Sequence, residues 1–166
     1  MQKKDEEAPK EEELYIDIGA ENKDIVYGYY HGYTLFDRKG ISAHFPFGFG
    51  LSYTEFELGD VSCSKDEKVI KVSGCLTNKG EKDGDEVIQI YVGSENKDKD
   101  RPVKVLKGFR RVSTRKGEAV SFSADVEIDD IGFYCPETGE WELDEKYSVY
   151  IGCNSRDITK IAEITF

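Results

Sequence analysis

VIKVSGCLTNKGEKDGDEVIQIYVG, residues 69–93, decides the fold. Ile70, Val72 and Leu76 fall on one side of an extended chain while Lys71, Ser73 and Thr77 fall on the other, the period-2 pattern of a half-buried strand. Asn78-Lys79-Gly80 and Lys82-Asp83-Gly84 then supply turn chemistry, and Ile88, Ile90 and Val92 line up in a second strand. The pattern recurs on both sides. Val120, Phe122, Ala124, Val126 and Ile128 alternate within 119–128, Tyr147, Val149 and Ile151 within 146–152, and Ala162, Ile164 and Phe166 close the run at 158–166. With 53–63 and 103–112 added, about seven strands are expected at the spacing of an all-β sandwich. A closed barrel is the alternative arrangement. No 3.6-residue apolar period persists for three turns, so no long helix is expected.

The sequence has 166 residues, and 34 acidic against 23 basic side chains leave a formal charge of −11. A polyanion without a basic patch repels nucleic-acid phosphates and anionic lipid, so neither nucleic acid nor a membrane is an expected partner. The longest stretch without Asp, Glu, Lys or Arg, 40–54, is interrupted by Pro46, Gly48 and Gly50 and is too short to span a bilayer. MQKKDEEAPKEEE, residues 1–13, holds six acids and three lysines, has no apolar run after its first lysines, and reads as part of a disordered acidic tail over 1–14 without a secretion signal. A chain of this length buries about 70% of its unfolded surface and needs no staples. Cys63, Cys75, Cys135 and Cys153, which permit three disulfide pairings, are therefore expected as free buried thiols. That fits a reducing, cytoplasmic setting, with export of a parent protein left open.

Catalytic and metal-binding patterns are sparse. Asn96, Asp98 and Asp100 alternate like the start of a calcium loop, but Arg101 stands where the turn glycine belongs and Lys107 where the bidentate glutamate belongs. A solvated loop is the better reading, and no metal or cofactor is expected. The acidic neighbours Asp129 and Asp130, Glu140 and Glu142, and Asp144 and Glu145 lie at turns and read as solvated surface rather than as a catalytic pair. Neither a Gly-x-Ser-x-Gly elbow nor a His-Glu-x-x-His zinc motif occurs. His31, flanked by Tyr29, Tyr30 and Tyr33, could face a sugar or relay a proton, yet a packed or solvent-exposed linker histidine is the preferred reading. His44 has no ligand-spaced partner.

Residues 27–56 hold ten of the twenty aromatic side chains and five glycines. Their core, FPFGFGLSYT at 45–54 followed by Phe56, closely resembles the FPFG-x-GLSYT-x-F signature near the C-terminal part of family 3 glycoside hydrolases, the β-glucosidase and β-xylosidase family. Val26-Tyr27-Gly28 and Gly32-Tyr33-Thr34-Leu35-Phe36-Asp37 resemble that family's VYGEGIFVGYRYYD stretch, although Thr34 replaces the arginine that many members carry after Gly-Tyr. Asn78-Lys79-Gly80, Gly84-Asp85-Glu86-Val87, Gln89, Tyr91-Val92, Arg101-Pro102-Val103-Lys104, Leu106-Lys107-Gly108-Phe109 and Ser155-Arg156-Asp157-Ile158 extend the resemblance from about Tyr15 to the end.

The resemblance implies an immunoglobulin-like, fibronectin type III-like sandwich over 51–166, preceded by an extended linker over 15–50. It implies that the catalytic nucleophile and acid/base lie in other domains. The barrel's Asp-Trp nucleophile motif has no counterpart, since the single tryptophan, Trp141, follows Glu140. A barrel of about 250 residues does not fit in this length besides the sandwich. The expected role is therefore a non-catalytic brace whose partners are the parent's catalytic domains, with no catalytic residue in this chain. A carbohydrate-binding module using Tyr29, Tyr30, Tyr33 or Trp141, or a protein-interaction module, is the alternative.

Overall fold

The structure, a computed structural model, describes residues 28–166. The acidic tail and the first part of the linker lie outside the described residues. Strands β1 (Phe56–Lys65), β2 (Val69–Asn78) and β5 (Ala119–Glu127) form one antiparallel sheet in the order β1-β2-β5. Strands β3 (Gly84–Ser94), β4 (Val105–Thr114), β8 (Lys146–Gly152) and β9 (Ile158–Thr165) form the second, ordered β4-β3-β8-β9. A hairpin of β6 (Phe133–Cys135) and β7 (Glu140–Glu142) stands apart from both. The expected strands thus make up two separate sheets, and the sandwich rather than the barrel is observed.

The alternation read from the sequence builds the core. Ile70, Val72 and Leu76 of β2 are fully buried and face Ile88, Ile90 and Val92 of β3 across the sandwich, with Val149 and Ile151 of β8 beside them. Each such side chain contributes about 1.5–3 kcal/mol by leaving water. Tyr147 belongs to the same core, and its hydroxyl accepts the Asp144 N–H at 2.8 Å, which ties the chain entering β8 to the strand itself. That is the tyrosine corner of immunoglobulin-like sandwiches. The edge strand β1 is interrupted by a register shift between Gly59 and Ser62, where Asp60 has φ 51°, and such a bulge blunts an edge against pairing with another chain.

Strand β3 departs from simple alternation. Every residue from Ile88 to Ser94 is buried, so its outer face is covered as well as its inner one. The cover is the aromatic linker. The stretch expected to be extended contains an α-helix, α1 (Gly32–Lys39), which is two turns long and so offers too few apolar repeats to be visible as a period.

Its ends are defined locally. The His31 N–H donates to Thr34 Oγ1 at 3.3 Å while the Thr34 hydroxyl donates to the His31 carbonyl at 2.7 Å, closing the first turn. Gly40, at φ 64°, ends the helix by returning its N–H to the Asp37 carbonyl, a left-handed step that glycine takes without a Cβ clash. Arg38 and Lys39 sit in the last turn, where the helix dipole favours cations.

Candidate functional site

The covered face of β3 is where the linker and the sandwich meet, and three clusters hold them together. At the first, the Tyr33 ring of α1 lies edge-on to Tyr91 of β3 with centroids 5.7 Å apart, and its hydroxyl accepts the Leu106 N–H at 2.9 Å. Lys104 is buried with its ammonium about equally far from both rings and pairs with Asp37 of α1. Burial raises the hydroxyl pKa of both tyrosines, keeping them neutral.

At the second, the FPFG segment lies on the sheet. The Phe47 carbonyl accepts the Ser155 N–H at 2.8 Å and its ring tilts onto Tyr33 at 5.8 Å. Gly48, at φ 84°, passes so close to Gln89 that a Cβ there would fall 2.0 Å from Nε2. Gln89 cannot swing away, because its Nε2 donates to the Cys153 carbonyl at 2.9 Å and its Oε1 accepts the Tyr91 hydroxyl. Burial raises the Cys153 thiol to about 12, leaving it a protonated packing group.

The third cluster is the loop of 94–102. Its Asp100 accepts the Tyr30 hydroxyl at 2.7 Å and the Arg38 guanidinium at 3.0 Å, and that guanidinium also lies 4.1 Å from the Tyr30 ring centre. Burial, and Asp100 as acceptor and neighbouring charge, push the Tyr30 hydroxyl up to about 12. The hydrogen bond from Tyr30 and the Arg38 contact hold the Asp100 carboxyl below its ordinary value.

The loop is anchored in turn by Asp144, which accepts Ser94 Oγ at 2.7 Å, Asn96 Nδ2 at 3.0 Å and Arg101 Nε at 3.3 Å. Burial alone would raise the Asp144 carboxyl, but these hydrogen bonds and the charges of Arg101 and Lys99 outweigh it and lower it. Asp144 is only 4% exposed. Its reading as solvated surface is therefore corrected, because a carboxylate facing two hydroxyl or amide donors and a guanidinium can be buried at little cost.

The other candidates scatter. Asn96, Asp98 and Asp100 do not converge: Asn96 turns to Asp144 and also accepts the Asp98 N–H, while Asp100 turns to the linker. Among the described residues no three His, Cys, Asp or Glu side chains come together in a way that could hold a metal. Asp129 and Asp130 lie in a 3-10 turn over Ile128–Ile131, where the Asp130 backbone carbonyl accepts the half-buried Lys107. His31 Nδ1 lies 3.2 Å from the Gly28 carbonyl, so the histidine serves the turn that starts α1. The four cysteines are unbridged in this structure, and each is half-buried rather than the fully buried thiol expected. Tyr30 and Tyr33 spend their hydroxyls within the chain, which leaves Tyr29 and Trp141 as the exposed rings of the four proposed as sugar platforms.

What the linker presents outward is apolar. Phe45 is 78% exposed, Leu51 89% and Tyr53 96%. They are held rather than loose. Pro46 beside Phe45 is buried, and Thr54, next to Tyr53, donates its hydroxyl to the buried Asn78 Oδ1 at 2.6 Å. The same Asn78 oxygen accepts the Gly80 N–H, so the end of the linker is bolted to the β2–β3 turn. A groove of about 1000 Å³ runs beside this segment, between α1 and the sheet edge, with Phe36, Phe45, Phe47, Lys104, Lys107 and Phe133 in its walls.

The family of fibronectin type III-like domains matches residues 86–155. Thermostable β-glucosidase B of Acetivibrio thermocellus is 35% identical over 151 residues, covering 87% of this chain and 20% of that enzyme. The solved family 3 β-glucosidase of Bifidobacterium adolescentis superposes with a TM-score of 0.76 at 31% identity, covering 81% of this chain and 20% of that one. Residues 86–155 are a fibronectin type III-like domain, and the chain is similar to the part of family 3 β-glucosidases that carries one. The β-glucosidase of Kluyveromyces marxianus gives a TM-score of 0.75 at 36% identity over 80% of the fibronectin-like chain and 16% of its own. These alignments exceed the family match and so take in linker as well as sandwich. The fibronectin-like chain spans about a fifth of the length of the curated relatives it matches.

Proposed function

We propose that the domain braces the catalytic domains of a family 3 β-glucosidase-like enzyme that hydrolyses O-glycosidic bonds, and contributes no catalytic group. The observation that carries this reading is the pairing of a clamped inner face with an exposed apolar outer one on the same short linker. Tyr33, the Phe47 backbone carbonyl and Gly48 fix the segment to the sandwich, while Phe45, Leu51, Tyr53 and half of the Phe47 ring remain in water. Several large apolar side chains exposed on one short segment, with the Phe45 and Phe49 rings 5.3 Å apart, mark a surface suited to another protein body. A rigid patch also binds with less ordering cost than a mobile one. The relatives being about five times longer supports a neighbouring domain as that body.

Hydrolysis of an aryl β-glucoside by the purified chain tests the non-catalytic part. No turnover above the buffer rate is expected at any pH from 4 to 8. Sustained turnover that disappears when Asp129, Glu140 or another of its own carboxylates is changed to the amide would sink the reading.

A further inference from the structure

We infer that the β6–β7 hairpin is a second, independent surface, a small platform that binds a neutral oligosaccharide through Tyr134 and Trp141. The two residues are directly opposite each other across the ladder, with ring centroids 6.0 Å apart at 66°. Trp141 is 71% exposed and Tyr134 52%. The hairpin that carries them is fixed from its other face. Phe133 is buried beneath the Arg101 guanidinium, 4.3 Å from its ring centre, and Glu142 accepts Lys99 Nζ at 2.8 Å. The Gly139 N–H donates to the Cys135 carbonyl at 2.8 Å and closes the turn. Alternation along the strands therefore sends Phe133 inward and the Tyr134 and Trp141 rings outward.

The polar groups around the rings choose the ligand. Among the described residues, neither the Tyr134 hydroxyl nor the Trp141 indole N–H has a hydrogen-bond partner, and the Glu140 carboxylate beside Trp141 has none either. Two tilted aromatic faces, two unspent donors and one unspent acceptor suit a pyranose, whose C–H faces pack on rings while its hydroxyls bond outward. The carboxylates of Glu137, Glu140 and Glu142 disfavour an anionic ligand. They also disfavour a protein, since interface cores are depleted of acidic residues and a specific interface needs roughly 800 Å² on each partner, far more than two rings supply.

The choice of a β-linked glucan as first ligand rests on the function proposed above; the platform itself rests on the hairpin. Trp141 is the only tryptophan in the chain, so its fluorescence reports this site directly. Titration with cellotetraose, and in parallel with laminari-, xylo- and arabino-oligosaccharides, is expected to shift Trp141 emission with a dissociation constant in the millimolar range. Tyr134→Ala, at an exposed position that leaves folding intact, should weaken binding on the order of tenfold. Trp141→Ala should abolish the heat seen by calorimetry. A response to xylo- or arabino-oligosaccharides but not to glucans keeps the platform and overturns the glucosidase reading. No response to any neutral sugar at tens of millimolar, or a response to tetramethylammonium alone, overturns the platform and leaves the brace standing.

Discussion

Replacing Asp144 by alanine is expected to lower the unfolding free energy by about 3 kcal/mol, the cost of removing one partner from a buried ion pair. Ser94 and Asn96 lose their acceptor inside the fold, and the Arg101 guanidinium, of whose side chain 12% is exposed, keeps only the Phe133 ring. A fall of about 10 °C in melting temperature follows for a domain of this size. Asp144→Asn retains an oxygen for the Ser94 hydroxyl and should recover part of the loss. The same carboxylate sets an acid limit. Asp144 and Asp100 are held below their unfolded value of about 3.9, so the stability they contribute is complete above that pH and is lost as the pH falls through their lowered folded values. Glu163, drawn down to about 2 by hydrogen bonds from Lys146 and Lys160, titrates in the same direction. Wild-type stability should therefore fall below about pH 4, and Asp144→Ala should flatten that slope; thermal melts from pH 2 to 7 measure both.

Gly48→Ala is expected to release the linker while leaving the sandwich folded. The left-handed φ of 84° already costs a residue with a Cβ about 1–2 kcal/mol. The new methyl also meets Gln89 Nε2, and the Cys153 carbonyl 3.1 Å away prevents a shift to the other side. Relief comes from lifting the FPFG segment, which breaks the Phe47 contact to Ser155 and loosens Tyr33. Hydrogen exchange reads this locally. The amides of Ser155 and Leu106, bonded to the Phe47 carbonyl and the Tyr33 hydroxyl, should lose protection by roughly a hundredfold. Amides of β2 and β8 in the core ladders should keep theirs. Equal loss across all strands would contradict a linker that docks as a separate layer.

The sandwich was legible in the sequence because its inner faces obey period 2. Ile70, Val72, Leu76 and Ile88, Ile90, Val92 read directly as two facing rows. Less legible was the outer face of β3. Gln89 and Tyr91 are as buried as their neighbours, but only because the linker returns to cover them, and a contact between residues forty positions apart leaves no local period. Helix α1 escaped because two turns do not establish a repeat. Thr34, notable in the sequence as a departure from the arginine of the related signature, is explained by its bond to the His31 carbonyl at the helix start. Asp144 looked like one more acid in a chain of 34, and nothing in its own neighbourhood announces that Ser94, Asn96 and Arg101 converge on it from a distant loop. The signal that could have found it is Tyr147, whose place at the start of a buried strand implies a corner bond to a residue a few positions upstream.

The outward rings carry the central claim, that this domain exists to hold another one in place. Leu51→Asp with Tyr53→Asp tests it without disturbing the fold, since both side chains are almost wholly exposed and touch little of the sandwich. The measurement is binding of the purified chain to the catalytic domains proposed as its neighbours, expressed without a fibronectin-like segment, followed by calorimetry and by hydrolysis of an aryl β-glucoside. The wild-type chain should bind and raise the stability of the catalytic part. The double variant, melting at the wild-type temperature on its own, should bind at least a hundredfold more weakly, as expected when two central anchors become unpaired buried charges. Equal binding by the two chains, or no binding by either, would contradict the account.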